Sequence, residues 1–197
     1  MENLIFIEGP DKIGKSTICE GLKNILGSEY VFKVLPDEKT RKLINSNDLD
    51  VYTKQILQVC SQQNLYYNLR GTLNNYIFDR SILSNFVYSE NLQKANLLNS
   101  EQLSIITNLN YSVLMQLNKY FKVHFIVLHA EKPFREYKDG SFYEDVVDFN
   151  NIQSSYTHWV NLLKHSNYNF KNFTFTTVEL LAEFSIDDSV NAVKNAF

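Results

Sequence analysis

The densest chemistry in the chain lies close to its N-terminus, in Gly9, Pro10, Asp11, Lys12, Ile13, Gly14, Lys15, Ser16 and Thr17. The spacing Gly9-x4-Gly14-Lys15-Ser16 is a complete Walker A pattern. Each residue type has a physical task in it. The glycines let the backbone curl until successive N–H groups point inward and cradle phosphate oxygens. A helix starting at Lys15 adds its positive end to the same anion. Lys15 is placed to reach β- and γ-phosphates. The Ser16 hydroxyl is a ligand for Mg²⁺, with Asp79 joining it through water. The expected ligand of residues 9–17 is a nucleoside triphosphate, ATP, with Mg²⁺ as cofactor.

A second charged pair, Asp79-Arg80, follows the apolar run of Asn75–Asp79. In open parallel sheets, ligand-binding groups gather at the carboxyl ends of strands. The phosphate loop follows the strand Leu4–Ile7, so Asp79 and Arg80 are expected on the same sheet edge. The charges of Lys39, Arg41 and Lys42 read first as a solvated amphipathic turn over Asp37–Asn45, with a substrate-phosphate contact as the second reading. The four histidines show no metal spacing, and the aromatic residues read as core.

The elements that must position these groups alternate along the chain. Lys15–Leu26 has a helical apolar spacing that stops at Gly27, and Tyr30–Leu35 is a strand ended by Pro36. Asp50–Leu69 reads as a long helix with Ile56, Val59, Cys60, Leu65 and Leu69 toward the core. Asn75–Asp79 is a strand, Ser81–Ser89 a helix, and Ser100–Tyr120 a second long helix with a capping-box-like start. Lys122–His129 is a strand, Asp145–His165 a helix, Phe170–Val178 a strand and Ile186–Phe197 a closing helix. Five strands alternating with helices predict an α/β fold: a P-loop NTPase three-layer sandwich around a five-stranded parallel sheet.

Composition sets the limits. A chain of 197 residues with 44% hydrophobic content suits one domain, residues 1–197, with a sizeable core. A net charge of −3 supplies no basic field for nucleic acid. No stretch approaches the ~20 apolar residues of a membrane span. The N-terminus enters a strand directly, so no signal peptide is expected. Cys19 and Cys60 form no ligand pattern and are expected as buried free thiols in a reducing cytoplasm.

Taken together, these residues resemble the thymidylate kinase family. Glu8-Gly9-Pro10-Asp11-Lys12-Ile13-Gly14-Lys15-Ser16-Thr17 is similar to its Glu-Gly-x-Asp-x-x-Gly-Lys-Ser/Thr-Thr signature. Asp79-Arg80-Ser81-Ile82-Leu83-Ser84, running on to Val87-Tyr88, is similar to its Asp-Arg-Tyr-x-x-Ser-x-x-Ala-Tyr-Gln motif. Arg135–Gly140 resembles a eukaryotic lid, which places the lid at about 131–144, and Phe149 and Tyr156 match the helix that follows it.

The resemblance implies phosphoryl transfer from ATP to a deoxynucleoside monophosphate, dTMP first. It also implies a homodimer built on the long helices. By similarity Arg80 holds the acceptor's α-phosphate, Asp11 meets the sugar 3′-hydroxyl and Tyr137 closes beside the sugar. Acceptor contacts would also come from Pro36, Lys39, Gln63, Asp79, Ser84 and Tyr88. Lys12 matches a basic loop position in members whose lid is poor in arginine, and would act as a built-in cationic finger alongside Lys15 and Arg80. The chain departs from the pattern at Ser81 for Tyr, Ser89 for Gln, and Glu38 where a basic residue is usual. Ser81 brings it closer to the Glu-Arg-Ser of deoxyribonucleoside kinases. A nucleoside acceptor therefore stays open, as does a P-loop regulator with no second substrate.

Overall fold

Strand β1 (Asn3–Glu8) divides its side chains between two cores. Leu4 and Phe6 join one apolar cluster and Ile5 and Ile7 the other, all at most 1% exposed. A strand buried on both faces in this way belongs at the centre of a parallel sheet. The computed structural model, which describes residues 1–134, 148–181 and 183–196, places it there.

The sheet has five strands in the order β2-β3-β1-β4-β5, all parallel. The others are β2 (Tyr30–Val34), β3 (Asn75–Asp79), β4 (Lys122–Ala130) and β5 (Phe173–Leu180). Helices α1 (Lys15–Leu26) and α7 (Ile186–Lys194) cover the Ile5/Ile7 face. The opposite face carries α3 (Val51–Leu69), α4 (Ile82–Lys94), α5 (Ser100–Tyr120) and α6 (Phe149–Lys164). The expected three-layer sandwich is thus present. Phe6 anchors its larger layer, with ring centroids 5.1–5.7 Å from those of Tyr66, Phe78 and Phe125.

Several local readings need correction. Asp37–Asn45 is a two-turn helix, α2 (Glu38–Asn45), and not a turn. Asp37 caps it, accepting from Thr40 N at 3.0 Å and from the Thr40 hydroxyl at 2.8 Å. The capping box of α5 belongs to Asn99 and Gln102, one residue earlier than the Ser100 start. The buried face of α3 is largely polar: Lys54, Gln55, Gln58 and Gln62 are buried, whereas Cys60 is exposed. Periodicity misread that face because part of it lines a polar cleft and not the core. Strand β5 begins at Phe173, and α6 is described from Phe149; residues 145–147 lie outside the described residues. No described helix is long and apolar enough to cross a membrane.

Asn110, on α5, has 0% exposure and, among the described residues, no hydrogen-bond partner for either amide atom. Each such unpaired group costs about 1–3 kcal/mol. Leucine has the same branching without the polar atoms, so Asn110→Leu is expected to raise the melting temperature. A lower melting temperature in a calorimetric scan would show that the amide has a partner in solution.

Candidate active site

Three strand ends meet at one edge of the sheet. Register pairs Ile7 with Asp79 and Val34 with Asp79, so the segments after β1, β3 and β2 leave the sheet side by side. The first is the phosphate loop. Gly9 has φ +134, and a Cβ there would lie 2.6 Å from the Leu128 carbonyl oxygen, so only glycine fits against β4. Gly14 is left-handed at φ +83 and opens α1. Lys15 is 6% exposed, and its ammonium donates to the Pro10 carbonyl at 2.6 Å. Burial lowers its pKa and Arg80 lowers it further, while Asp11, Asp79 and Glu8 oppose that shift.

Ser16 Oγ donates to Asp79 Oδ2. Asp79 is 6% exposed, and its Oδ1 is buried with no hydrogen-bond partner among the described residues. A serine hydroxyl beside a carboxylate oxygen with spare capacity is the oxygen donor set that a hydrated Mg²⁺ takes. No cluster of three or more His, Cys, Asp or Glu able to hold a metal occurs among the described residues. An ion here would therefore keep most of its water and be shared with phosphate.

Arg80 follows Asp79 with φ +77, the left-handed region that costs a non-glycine residue on the order of 1–2 kcal/mol. Its N–H donates to the Ile7 carbonyl at 3.0 Å. Its guanidinium donates through Nη2 to Asp11 Oδ1 and through Nη1 to Tyr88 OH at 3.3 Å. Tyr88 OH donates in turn to Asp11 Oδ2 at 2.7 Å. Burial alone would raise the Asp11 pKa. Arg80, Lys15 and the hydrogen bonds from Tyr88 and Arg80 outweigh it and hold the carboxyl well below the usual range. Asp11 therefore stays ionised and links the loop to the end of β3.

These groups border a cleft of about 360 Å³, within the range of small-molecule sites. Asp11, Ser16, Asp79, Arg80, Ser84 and Tyr88 form one wall, and Leu35, Pro36, Arg41, Ile44 and Asn45 come from the β2–α2 side. Gln58 and Gln62 on α3 and Asn85 on α4 complete it.

Two expected positions fall elsewhere. Lys39 is exposed beside Asp37, Glu38, Lys42 and Leu43 on one side of α2, because the helical period places Arg41, Ile44 and Asn45 along the cleft instead. Gln63 does not line the cleft. Gln58 and Gln62, one helical turn apart, do. Tyr137, with Arg135 and Lys138, lies outside the described residues. Lys12 sits half-buried in the loop at φ +68, and its carbonyl accepts from Phe134 N at 3.0 Å.

A buried network behind the cleft was missed in the sequence. Glu8 is fully buried, and its carboxylate accepts from Ser81 Oγ, from Ser84 Oγ at 2.6 Å and from Tyr156 OH at 3.1 Å. Burial raises its pKa, and the three hydroxyls and Arg80 pull it back. An acid ending an otherwise apolar strand was the available signal.

No protein-family model matches the chain, and no curated protein does. Solved structures do. A thymidylate kinase from Candida albicans superposes with a TM-score of 0.65 at 21% identity, covering 98% of this chain and 90% of that one. A deoxyadenosine kinase from M. mycoides with bound dATP gives 0.64 at 20% identity, covering 98% and 97%. The same kinase with dCMP and dCDP gives 0.63 at 17%, covering 98% and 96%. The chain has the P-loop kinase fold. Identity this low speaks to the fold; the chemistry has to come from the cleft.

The pairing of Ser16 with Asp79 yields a direct test. Asp79→Asn removes the charge and keeps the shape. Mg²⁺ is expected to strengthen ATP binding to the unaltered protein, and the variant should lose roughly tenfold or more of that gain, the scale seen for groups supporting a metal. Titrations with Mg²⁺ and with EDTA would check it.

Proposed function

We propose that the chain transfers the γ-phosphoryl group of ATP to a deoxynucleoside monophosphate, with dTMP the preferred acceptor. The observation that carries this reading is Arg41 and Arg80 lining one cleft beside the phosphate loop. Two guanidiniums facing a small-molecule site suit an acceptor that already bears a phosphate. Transfer between two nucleotides gathers several negative charges, and its catalysis is positioning plus electrostatic stabilisation. Lys15 and Mg²⁺ serve the donor in this scheme, with Ser16 and Asp79 holding the ion, which supplies charge neutralisation. Arg80 holds the acceptor phosphate, and Asp11 takes the sugar hydroxyl.

Asn85, on the cleft wall, is the group assigned to read the base. Its Nδ2 donates to Gln62 Oε1 at 3.2 Å, and Gln62 Nε2 donates to the Ser81 carbonyl at 3.4 Å. That leaves Asn85 Oδ1 as an acceptor and the second Nδ2 proton as a donor, a pair that matches the N3–H and a flanking carbonyl of thymine.

The nucleoside-kinase reading is supported by Asp79-Arg80-Ser81 and by the likeness in fold to deoxyadenosine kinase. It needs an acid near the acceptor's 5′-hydroxyl. The acids after β2 do not line the cleft: Asp37 caps α2 and also accepts from Ser61 Oγ at 2.9 Å. The monophosphate reading includes a homodimer along α3 and α5, carried by the resemblance alone, and a place in the cytoplasm, carried by the cysteine usage.

A coupled assay of ADP release across nucleosides and nucleoside monophosphates tests the reading. dTMP is expected to give the fastest turnover. Faster turnover with thymidine would install the nucleoside-kinase reading, and no acceptor effect at all would favour a regulator.

Lys12 is assigned the transition-state cation, since the segment expected to form a lid holds a single arginine, Arg135, beside Lys132 and Lys138. Supplying such a cation in GTPases is worth ~10³–10⁵ in rate. Lys12 shares its load with Mg²⁺ and Lys15, so Lys12→Gly should lower kcat by roughly two decades with both KM values within a few-fold. Arg135→Ala should be milder. The reverse order in steady-state kinetics would move the catalytic cation to residue 135.

A further inference from the structure

The Glu8 carboxylate has no part in the transfer scheme, yet an unusual set of groups is spent on it. It lies one residue before Gly9 and is sealed from solvent. None of the ion pairs among the described residues includes it. Three hydroxyls satisfy it instead, from Ser81 at the cap of α4, Ser84 within α4 and Tyr156 on α6, and the last two lie 2.8 Å from each other. A carboxylate kept out of water is costly unless it is fully hydrogen-bonded, and an apolar residue would fill the space at less cost. Its retention calls for a task.

Its first hydroxyl partner indicates that task. Ser81 follows Arg80 directly, and its Oγ donates to Glu8 Oε1 while accepting from Leu83 N at 3.0 Å. A hydroxyl has one proton to give, so this polarity is complete only when the carboxylate takes it. The residue before Ser81 is held by the residue before Glu8, through Arg80 N–H on the Ile7 carbonyl at 3.0 Å. Two consecutive residues of β1 thus clamp two consecutive residues after β3. The clamped pair includes Arg80, whose left-handed backbone points its guanidinium at Asp11 and Tyr88.

We propose that Glu8 is a positioning residue for Arg80: as an anion it fixes Ser81 and so keeps Arg80 in the strained conformation that aims it into the cleft. Ser84 and Tyr156 hold the carboxylate in place for that purpose. Tyr156 brings α6 into the same network, so the aim of Arg80 depends on how α6 is seated. The kinetic consequence rests on Arg80 as the acceptor's phosphate ligand; the structural consequence does not.

The test uses Glu8→Gln and Tyr156→Phe in the full chain. A crystal structure of Glu8→Gln should show Ser81 turned away, Arg80 out of its left-handed conformation and its contact with Asp11 open. In kinetics with dTMP, the acceptor KM should rise roughly tenfold or more, the scale of a lost charge-assisted hydrogen bond, while the ATP KM stays within about twofold. Tyr156→Phe, which deletes one donor and spares Ser81, should shift the acceptor KM in the same direction by less. If Glu8→Gln does not fold, the structure and KM split of Tyr156→Phe decide the matter. An Arg80 that keeps its backbone and its Asp11 contact overturns the proposal, as does an equal rise in both KM values. A wild-type protein that turns over no monophosphate would fail the functional reading, and the crystal structure would still decide this one.

Discussion

The site depends on one ion pair, that between Arg80 and Asp11. It joins the segment after β3 to the loop after β1, and it brings the half-buried Arg80 guanidinium within reach of a second cation, Lys15, whose Nζ is 3.8 Å from Asp11. Without the carboxylate, two cations would face each other at the rim of a low-dielectric cleft. With it, the lowering that burial imposes on Lys15 is partly opposed, and Arg80 is held on the cleft wall. The strand register that sets Ile7 beside Asp79 makes this contact possible, and the Phe6 cluster beneath keeps that register rigid.

The pair also sets a condition on any acceptor. In the proposed scheme, an acceptor phosphate on Arg80 would take the place of the Asp11 carboxylate, exchanging one anion for another. That exchange frees Asp11 for a hydroxyl on the same ligand. A neutral acceptor offers no such replacement charge. Under the proposed function, such competition within the walls of the cleft would prefer a nucleotide to a nucleoside.

Much of this was legible in the sequence. The β1 run, the Walker A spacing and the Asn75–Asp79 strand fell where expected, since each is a strong local signal: a buried strand, a glycine geometry, an apolar run closing on charge. The acceptor side was less legible, because it is built from helix faces and not from motifs. Whether Lys39 or Arg41 faces the cleft is decided by the phase of α2, a two-turn helix that starts at the Asp37 cap. The choice of Gln62 over Gln63 turns likewise on the phase of α3, whose polar buried face hides its period. Glu8 escaped because its partners, Ser81, Ser84 and Tyr156, lie 73 to 148 residues away along the chain.

The most direct test of the anion-exchange account is a crystal structure with dTMP bound. The account predicts the 5′-phosphate between Arg41 and Arg80, the Arg80–Asp11 contact open, and the Asp11 carboxylate turned toward the sugar. A bound dTMP whose phosphate sits elsewhere, with Arg80 still on Asp11, would contradict it.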